Sequence, residues 1–133
     1  MKKLMLLIFC LAFTMHAMAS DKSKEEPTQH LRIADVTSLI DAKKIFIEKT
    51  SEIKSKKRLD PLELQQIHII TYTLEKSVAY FVENLKDERQ GLANEIALVV
   101  EDIHISSENN RKLMTEDHLD KYFDLAEQLV SGF

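Results

Sequence analysis

Two histidines in this 133-residue chain, His68 and His104, have the same immediate neighbours, because each lies between two isoleucines. Glu101 precedes His104 by three residues, and this Glu-x-x-His spacing places a carboxylate and an imidazole on one face of a helix. Carboxylate-bridged metal sites in helical bundles use that arrangement. The corresponding position before His68 is Gln65, a poor ligand for such a metal, so only half of the motif is present. The candidate metal ligands are therefore His68, His104 and Glu101.

The same histidines also admit a purely structural interpretation. Tyr72 lies one helical turn after His68, and a buried histidine often hydrogen-bonds a tyrosine or a carboxylate on the next helix. Such polar pairs can fix the register between helices. We prefer this interpretation, a structural polar cluster of His68, Tyr72 and His104, and keep a transition-metal site as the alternative. Acid–base catalysis is disfavoured, because nothing else in the sequence resembles a substrate cleft.

The stretch over residues 60–85 carries the strongest helix-start signal in the chain. Asp60 is suited to cap the free amides, Pro61 suits the first helical position, and Glu63 stands where a capping box has an acid. A buried seam is then predicted, because its members alternate at spacings of three and four residues. The seam consists of Leu64, Ile67, Thr71, Leu74, Val78, Phe81 and Leu85.

Three further amphipathic segments accompany this helix. Ser38, with an acid three residues later, predicts the start of a first helix. A third helix is predicted from about residue 88 to 107, and the extra apolar residues Leu98 and Ile105 predict that it is the most buried of the set. Thr115, followed by two acids, predicts the cap of a fourth helix.

Four amphipathic helices with short connections predict an all-α fold, an up-and-down bundle of four helices over residues 38–133. With the second turn centred between positions 86 and 87, residues whose numbers sum to about 173 lie at the same height. His68 and His104 are then almost level. Glu75 lies beside the same seam as His68, and Glu108 lies one turn after His104.

The chain begins with the three parts of a secretory signal. Residues 1–19 contain two lysines, an apolar run too short to span a bilayer, and an Ala-Met-Ala cleavage site. We therefore expect cleavage after Ala19, a flexible leader over residues 20–37, and a periplasmic protein that does not associate with the membrane after cleavage.

Composition excludes several classes of function for the cleaved chain. Two of the 18 basic residues leave with the signal, so 16 basic and 22 acidic side chains remain, a net charge of −6 with neutral histidines. This balance argues against non-specific binding to nucleic acid and against docking on anionic lipid. The only cysteine, Cys10, also leaves, which excludes disulfides and thiol chemistry. Haem is disfavoured because one methionine, Met114, remains and the first helix has neither methionine nor histidine.

The segments IHIITYTLE, residues 67–75, and DIHISSEN, residues 102–109, carry a resemblance. They look like the corresponding segments of an uncharacterised family of small exported helical proteins from Gram-negative bacteria. The resemblance covers most of the chain, from about Val36 to Leu129. It implies a periplasmic helical domain of unknown function and implies no activity.

The functional expectation is a small, soluble periplasmic helical bundle that is not an enzyme. It would act as a binding or protein-interaction module, through an unknown protein partner or through self-association, with no cofactor. The alternative is a bundle that binds a metal, or less favourably haem, at a site centred on His68 and His104.

Overall fold

The computed structural model describes residues 33–133. The predicted signal peptide, residues 1–19, and the larger part of the predicted leader, residues 20–32, lie outside the described residues. Residues 33–37 lead into the first helix without regular secondary structure, and Val36 among them packs against the core. The last part of the predicted leader is thus in contact with the helical domain.

Four helices account for most of the described chain, and no strand occurs within residues 33–133. They are α1 (Leu39–Lys54), α2 (Pro61–Asn84), α3 (Asp87–Glu108) and α4 (Lys112–Ser131). Helices that follow one another in sequence make most of the interhelical contacts, whereas α1 and α4 meet at few positions. The all-α bundle predicted from the sequence is confirmed.

In the part of the chain that the structure describes, no helix has the length and apolar character needed to cross a membrane.

The starts of α1 and α2 are the ones that the sequence predicts. The Ser38 hydroxyl accepts a hydrogen bond from the backbone N–H of Asp41 at 3.1 Å, and an Asp60 carboxylate oxygen accepts one from the N–H of Glu63 at 2.9 Å. Each bond satisfies one of the free amides of a first helical turn. The seven residues of the predicted α2 seam are all buried.

The predicted start of α4 at Thr115 is wrong, because the helix begins at Lys112. The Thr115 side chain is buried, and its hydroxyl lies 3.0 Å from Oγ of Ser106 on α3. Thr115 precedes Leu119 by four residues and so continues the apolar stripe of α4 backwards. Thr115 is therefore a core residue of α4 and not its N-cap.

The prediction that α3 is the most buried helix is also wrong. Leu98 and Ile105 are 70% and 45% exposed. Both lie on the outer face of α3, opposite the stripe that contains Ile96 and Ile103. Nine residues of α2 are buried and seven of α3, so α2 is the central helix of the core.

Three aromatic side chains join α1, α2 and α4 at the centre of the bundle. The ring of Phe46 packs edge-on against Phe81, with centroids 5.5 Å apart, and against Tyr122 at 6.2 Å. All three side chains are completely buried. Offset and edge-on aromatic pairs are favoured beyond the area that they bury. This cluster therefore holds the first and last helices to the central one.

A buried hydrogen bond also connects α1 to α4. The Thr50 hydroxyl donates to the backbone carbonyl of Phe46 at 2.6 Å, so it accepts from the Tyr122 hydroxyl, which lies at 2.6 Å. Burial raises the pKa of Tyr122, and the hydrogen bond with Thr50 lowers it only in part, so the phenol remains a protonated donor.

Substitutions of this pair should have unequal effects. Thr50→Val leaves the buried Tyr122 hydroxyl without an acceptor, and the free energy of unfolding should fall by about 1–3 kcal/mol. Tyr122→Phe removes the donor itself while Thr50 keeps its bond to Phe46, so the loss should be about 0.5–1.5 kcal/mol. Urea unfolding of both variants measures the difference, and a larger loss for Tyr122→Phe would contradict this hydrogen-bond arrangement.

The connection before α2 is fixed by a carboxylate. Oε2 of Glu63 accepts hydrogen bonds from the backbone N–H of Leu59 at 2.8 Å and of Arg58 at 2.7 Å. Leu59 has a φ of 47°, a left-handed conformation that is unusual for leucine. Burial raises the pKa of Glu63, but the two backbone hydrogen bonds and the Arg58 charge together lower it further, to below its ordinary value of 4.5.

Glu63 should therefore make stability depend on pH. Because its pKa is lower in the folded chain, Glu63 stabilises the fold above pH 4.5, and this contribution is lost as the pH falls through the folded-state value. Glu63→Gln should destabilise the protein at pH 7, and its difference from wild type should shrink in acid. Urea unfolding over a pH series tests this. Glu83→Gln, an exposed position on the same helix, is the control and should change stability little at any pH.

Candidate functional site

The α2–α3 hairpin brings the two histidines into contact. Only two residues, Leu85 and Lys86, separate the helices, so α2 and α3 run antiparallel and the register is fixed. The imidazole centroids of His68 and His104 lie 4.7 Å apart and their planes are nearly perpendicular, at 87°. His68 is 9% exposed, and the His104 side chain is 16% exposed. The prediction that the two histidines lie at the same height along the hairpin is confirmed.

Tyr72 covers the pair from the outside. Its ring centroid lies 5.1 Å from that of His68 and 4.8 Å from that of His104, and the residue is 37% exposed. The Tyr72 hydroxyl lies 3.4 Å from Nε2 of His68, the outer limit of a hydrogen bond. The structure thus brings together the three residues that the sequence groups as a polar cluster.

The hydrogen bonds of His104 determine its tautomer. Nδ1 lies 2.7 Å from Oε1 of Glu75 and 3.2 Å from the hydroxyl oxygen of Thr71. The Thr71 hydroxyl donates its hydrogen to the backbone carbonyl of His68 at 2.6 Å, and a carboxylate can only accept. Nδ1 of His104 therefore carries a proton. In the neutral ring, Nε2 is the nitrogen with a free lone pair.

Glu75 is a site residue that the sequence interpretation missed. The sequence places Glu75 beside the α2 seam, and helical spacing predicts carboxylates near His104 only on α3 itself. Glu75 reaches His104 across the hairpin, on α2. The register predicts which residues of α2 and α3 lie at the same height. It does not predict how far a glutamate side chain extends along the helix pair.

His68 contains an unusual polar atom. Its Nδ1 is buried and has no hydrogen-bond partner, and it is the one such side-chain nitrogen or oxygen atom within residues 33–133. A buried polar group without a partner costs about 1–3 kcal/mol. Atoms of this kind call for an explanation, such as strain, a catalytic role or an ion. The Nδ1 atom of His68 is therefore the one feature of the cluster that packing does not explain.

Glu108 is the third possible metal ligand, beside His68 and His104. One donor atom each from His68, His104 and Glu108 can be chosen so that all three lie within 4.8 Å of one another. Glu101, the sequence candidate, is exposed and lies outside this group. The two glutamates lie one turn on either side of His104, but in the antiparallel register Glu108 is on the His68 side. Glu101 is on the side of Tyr72.

The arrangement of His104 resembles that of metal-bound histidines in general. A histidine ligand almost always donates its second ring N–H to a carboxylate or carbonyl, which orients the ring and increases its basicity as a ligand. Glu75 is placed to do this for His104. The cluster thus combines two imidazoles, a nearby carboxylate and an orienting carboxylate.

The tautomer of His104 can be tested directly. Long-range proton–nitrogen NMR spectra, recorded at a pH at which the ring is neutral, should show a protonated Nδ1 and an unprotonated Nε2 for His104. Glu75→Ala removes the shorter of the two bonds to Nδ1 and should increase the population of the other tautomer. Glu101→Ala serves as the control and should leave the ring unchanged, whereas an Nε2-protonated His104 in the wild type would contradict the assignment.

Comparisons with known proteins give a family and no activity. No curated protein and no solved structure matches this chain. The model of a family of unknown function (DUF6746) matches residues 1–131, nearly the whole sequence. The chain therefore belongs to this family of unknown function.

Proposed function

We propose that this protein is an exported, non-enzymatic binding module that holds a divalent transition-metal ion between α2 and α3. The observation that carries the proposal is the group formed by His68, His104 and Glu108, whose donor atoms lie within 4.8 Å of one another. The bond from Nδ1 of His104 to Glu75 adds to it, because it leaves Nε2 free for a metal.

The donor set favours a particular class of metal. Two imidazole nitrogens and one carboxylate oxygen suit Zn²⁺ and Cu²⁺, whereas Cu⁺ prefers the sulfur of cysteine or methionine. Three protein ligands leave a fourth tetrahedral position for water or another ligand. Zinc is the probe that we choose, because it has no redox chemistry of its own.

Metal binding requires only small movements. In a tetrahedral zinc site, with ligands at about 2.0–2.1 Å, neighbouring donor atoms are about 3.3 Å apart. Donors that already lie within 4.8 Å can reach this spacing by side-chain rotation. Glu108 is exposed and has the most freedom to move. The buried His68 would supply the fixed ligand.

The competing proposal is that the cluster only fixes the register of α2 and α3. The aromatic contacts between His68, Tyr72 and His104 support this equally well. It leaves the buried Nδ1 of His68 without a partner, whereas a metal ion bound at that atom would supply one. Zinc distinguishes the two proposals, because it should not stabilise the protein if the cluster has only a structural role.

Zinc should stabilise the wild-type protein. A ligand that binds only the folded state raises the melting temperature in proportion to its affinity and concentration, so thermal unfolding and calorimetric titration at neutral pH should both detect it. Binding should weaken in acid, because protons compete for the imidazoles. His68→Ala and His104→Ala should each abolish the increase in melting temperature that zinc causes.

The two glutamates of α3 provide a matched comparison. Glu108→Gln should weaken zinc binding by about tenfold or more, whereas Glu101→Gln should leave it unchanged. Equal effects from the two variants would mean that neither carboxylate is a ligand. His118→Ala on α4 controls for non-specific binding to histidine. If zinc leaves the wild-type melting temperature unchanged, the cluster is structural.

The proposed location is the periplasm, with cleavage after Ala19. The three-part signal over residues 1–19 supports this. Intact-mass measurement of protein from a periplasmic extract should give a chain that begins at Ser20. A chain that retains residues 1–19 would contradict the proposed export.

A further inference from the structure

The side of the bundle between α1 and α4 is open. These helices meet at few positions, whereas neighbours in sequence pack closely. Between them lies a groove of about 350 Å³, a volume within the range of small-molecule sites in proteins. Ile47 of α1 and Phe123 and Val130 of α4 form its apolar walls, and the buried Ala126 also lines it.

The apolar walls remain accessible to a ligand. Ile47 is 47% exposed and Val130 37%, although both line the groove. A groove of this composition favours a ligand that covers the walls with an apolar chain. From Ile47 to Lys54 the groove follows α1 for about 10 Å, at the helical rise of 1.5 Å per residue. The shape therefore suits an elongated apolar chain.

Charged side chains lie at the edge of this groove. The ammonium group of Lys54 lies 5.3 Å from the centroid of the Phe123 ring, and no carboxylate of the described chain forms an ion pair with it. Glu127 also lines the groove and has the opposite charge. A second lysine, Lys43, lies over the ring of Phe133 at 4.4 Å on the same side of the bundle. Of the residues that line the groove, Lys54 is the one cation and Glu127 the one anion.

We infer that the groove between α1 and α4 binds a fatty acid, with its alkyl chain against Ile47, Phe123 and Val130 and its carboxylate at Lys54. The apolar walls would cover one side of the alkyl chain, and the ammonium group of Lys54, which has no ion-pair partner in the described chain, would supply the charge that the carboxylate requires. This site uses no residue of the histidine cluster. The inference is therefore independent of the proposed metal binding.

Dodecanoate is a suitable probe. Added to the isotopically labelled protein, it should shift the backbone amide signals of residues 47–54 and 123–130 and leave those around His68 unchanged. Dodecanol, which has the same chain length and no charge, should bind more weakly. Equal binding of dodecanol would overturn the assignment of the carboxylate to Lys54, and shifts confined to other parts of the protein would overturn the site.

Substitutions of the two charged residues should act in opposite directions. Lys54→Met should weaken dodecanoate binding by about threefold or more, because the charge is lost while the alkyl stem is kept. Glu127→Gln should strengthen it by about twofold, since a repulsive charge is removed. Lys44→Met, at an exposed lysine that pairs with Glu48 on α1, is the control and should change nothing. An unchanged affinity in Lys54→Met would overturn the inference.

Ser51→Trp gives a separate test of the groove itself. Ser51 is exposed and lines the groove, so a large side chain there should occupy the space without entering the core. Dodecanoate binding should be lost while the melting temperature stays close to that of wild type. If this variant is folded and still binds with wild-type affinity, the ligand lies elsewhere and the inference is wrong.

Discussion

The two-residue connection between α2 and α3 is the constraint on which the rest of the molecule depends. With only Leu85 and Lys86 between the helices, the antiparallel register cannot slip, and a shift by one turn would separate His68 from His104. The buried seam of α2 adds a second restriction, since it turns His68 towards α3 while Phe81 enters the core with Phe46. The positions of the candidate ligands thus follow from packing, before any ligand binds.

Much of this arrangement can be predicted from the sequence. Ser38 and Asp60 mark the starts of α1 and α2 because a helix start is a local event, decided within three or four residues. The equal height of His68 and His104 is predictable for a related reason, because a short turn fixes the antiparallel register of the two helices. The expectation that the chain belongs to an uncharacterised family is confirmed by the family model that matches residues 1–131.

The remaining features depend on directions that a sequence pattern does not contain. A capping signal cannot distinguish Thr115 at a helix start from Thr115 in a buried stripe, where it meets Ser106. Spacing alone treats Glu101 and Glu108 alike, because both lie one turn from His104. The antiparallel register distinguishes them, because it puts Glu108 on the His68 side and Glu101 on the Tyr72 side. Glu75 contacts His104 from the other helix, and spacing within α3 does not predict that contact.

The sparse contact between α1 and α4 has a consequence for how the chain folds. Most interhelical contacts join helices that are adjacent in sequence, so the contact order is low and the entropy of closing long loops is small. Such a topology favours rapid folding by growth from the α2–α3 hairpin. It also gives the two outer helices fewer contacts than the central pair. We therefore expect hydrogen exchange through local opening to occur first in α1 and α4, before the hairpin opens.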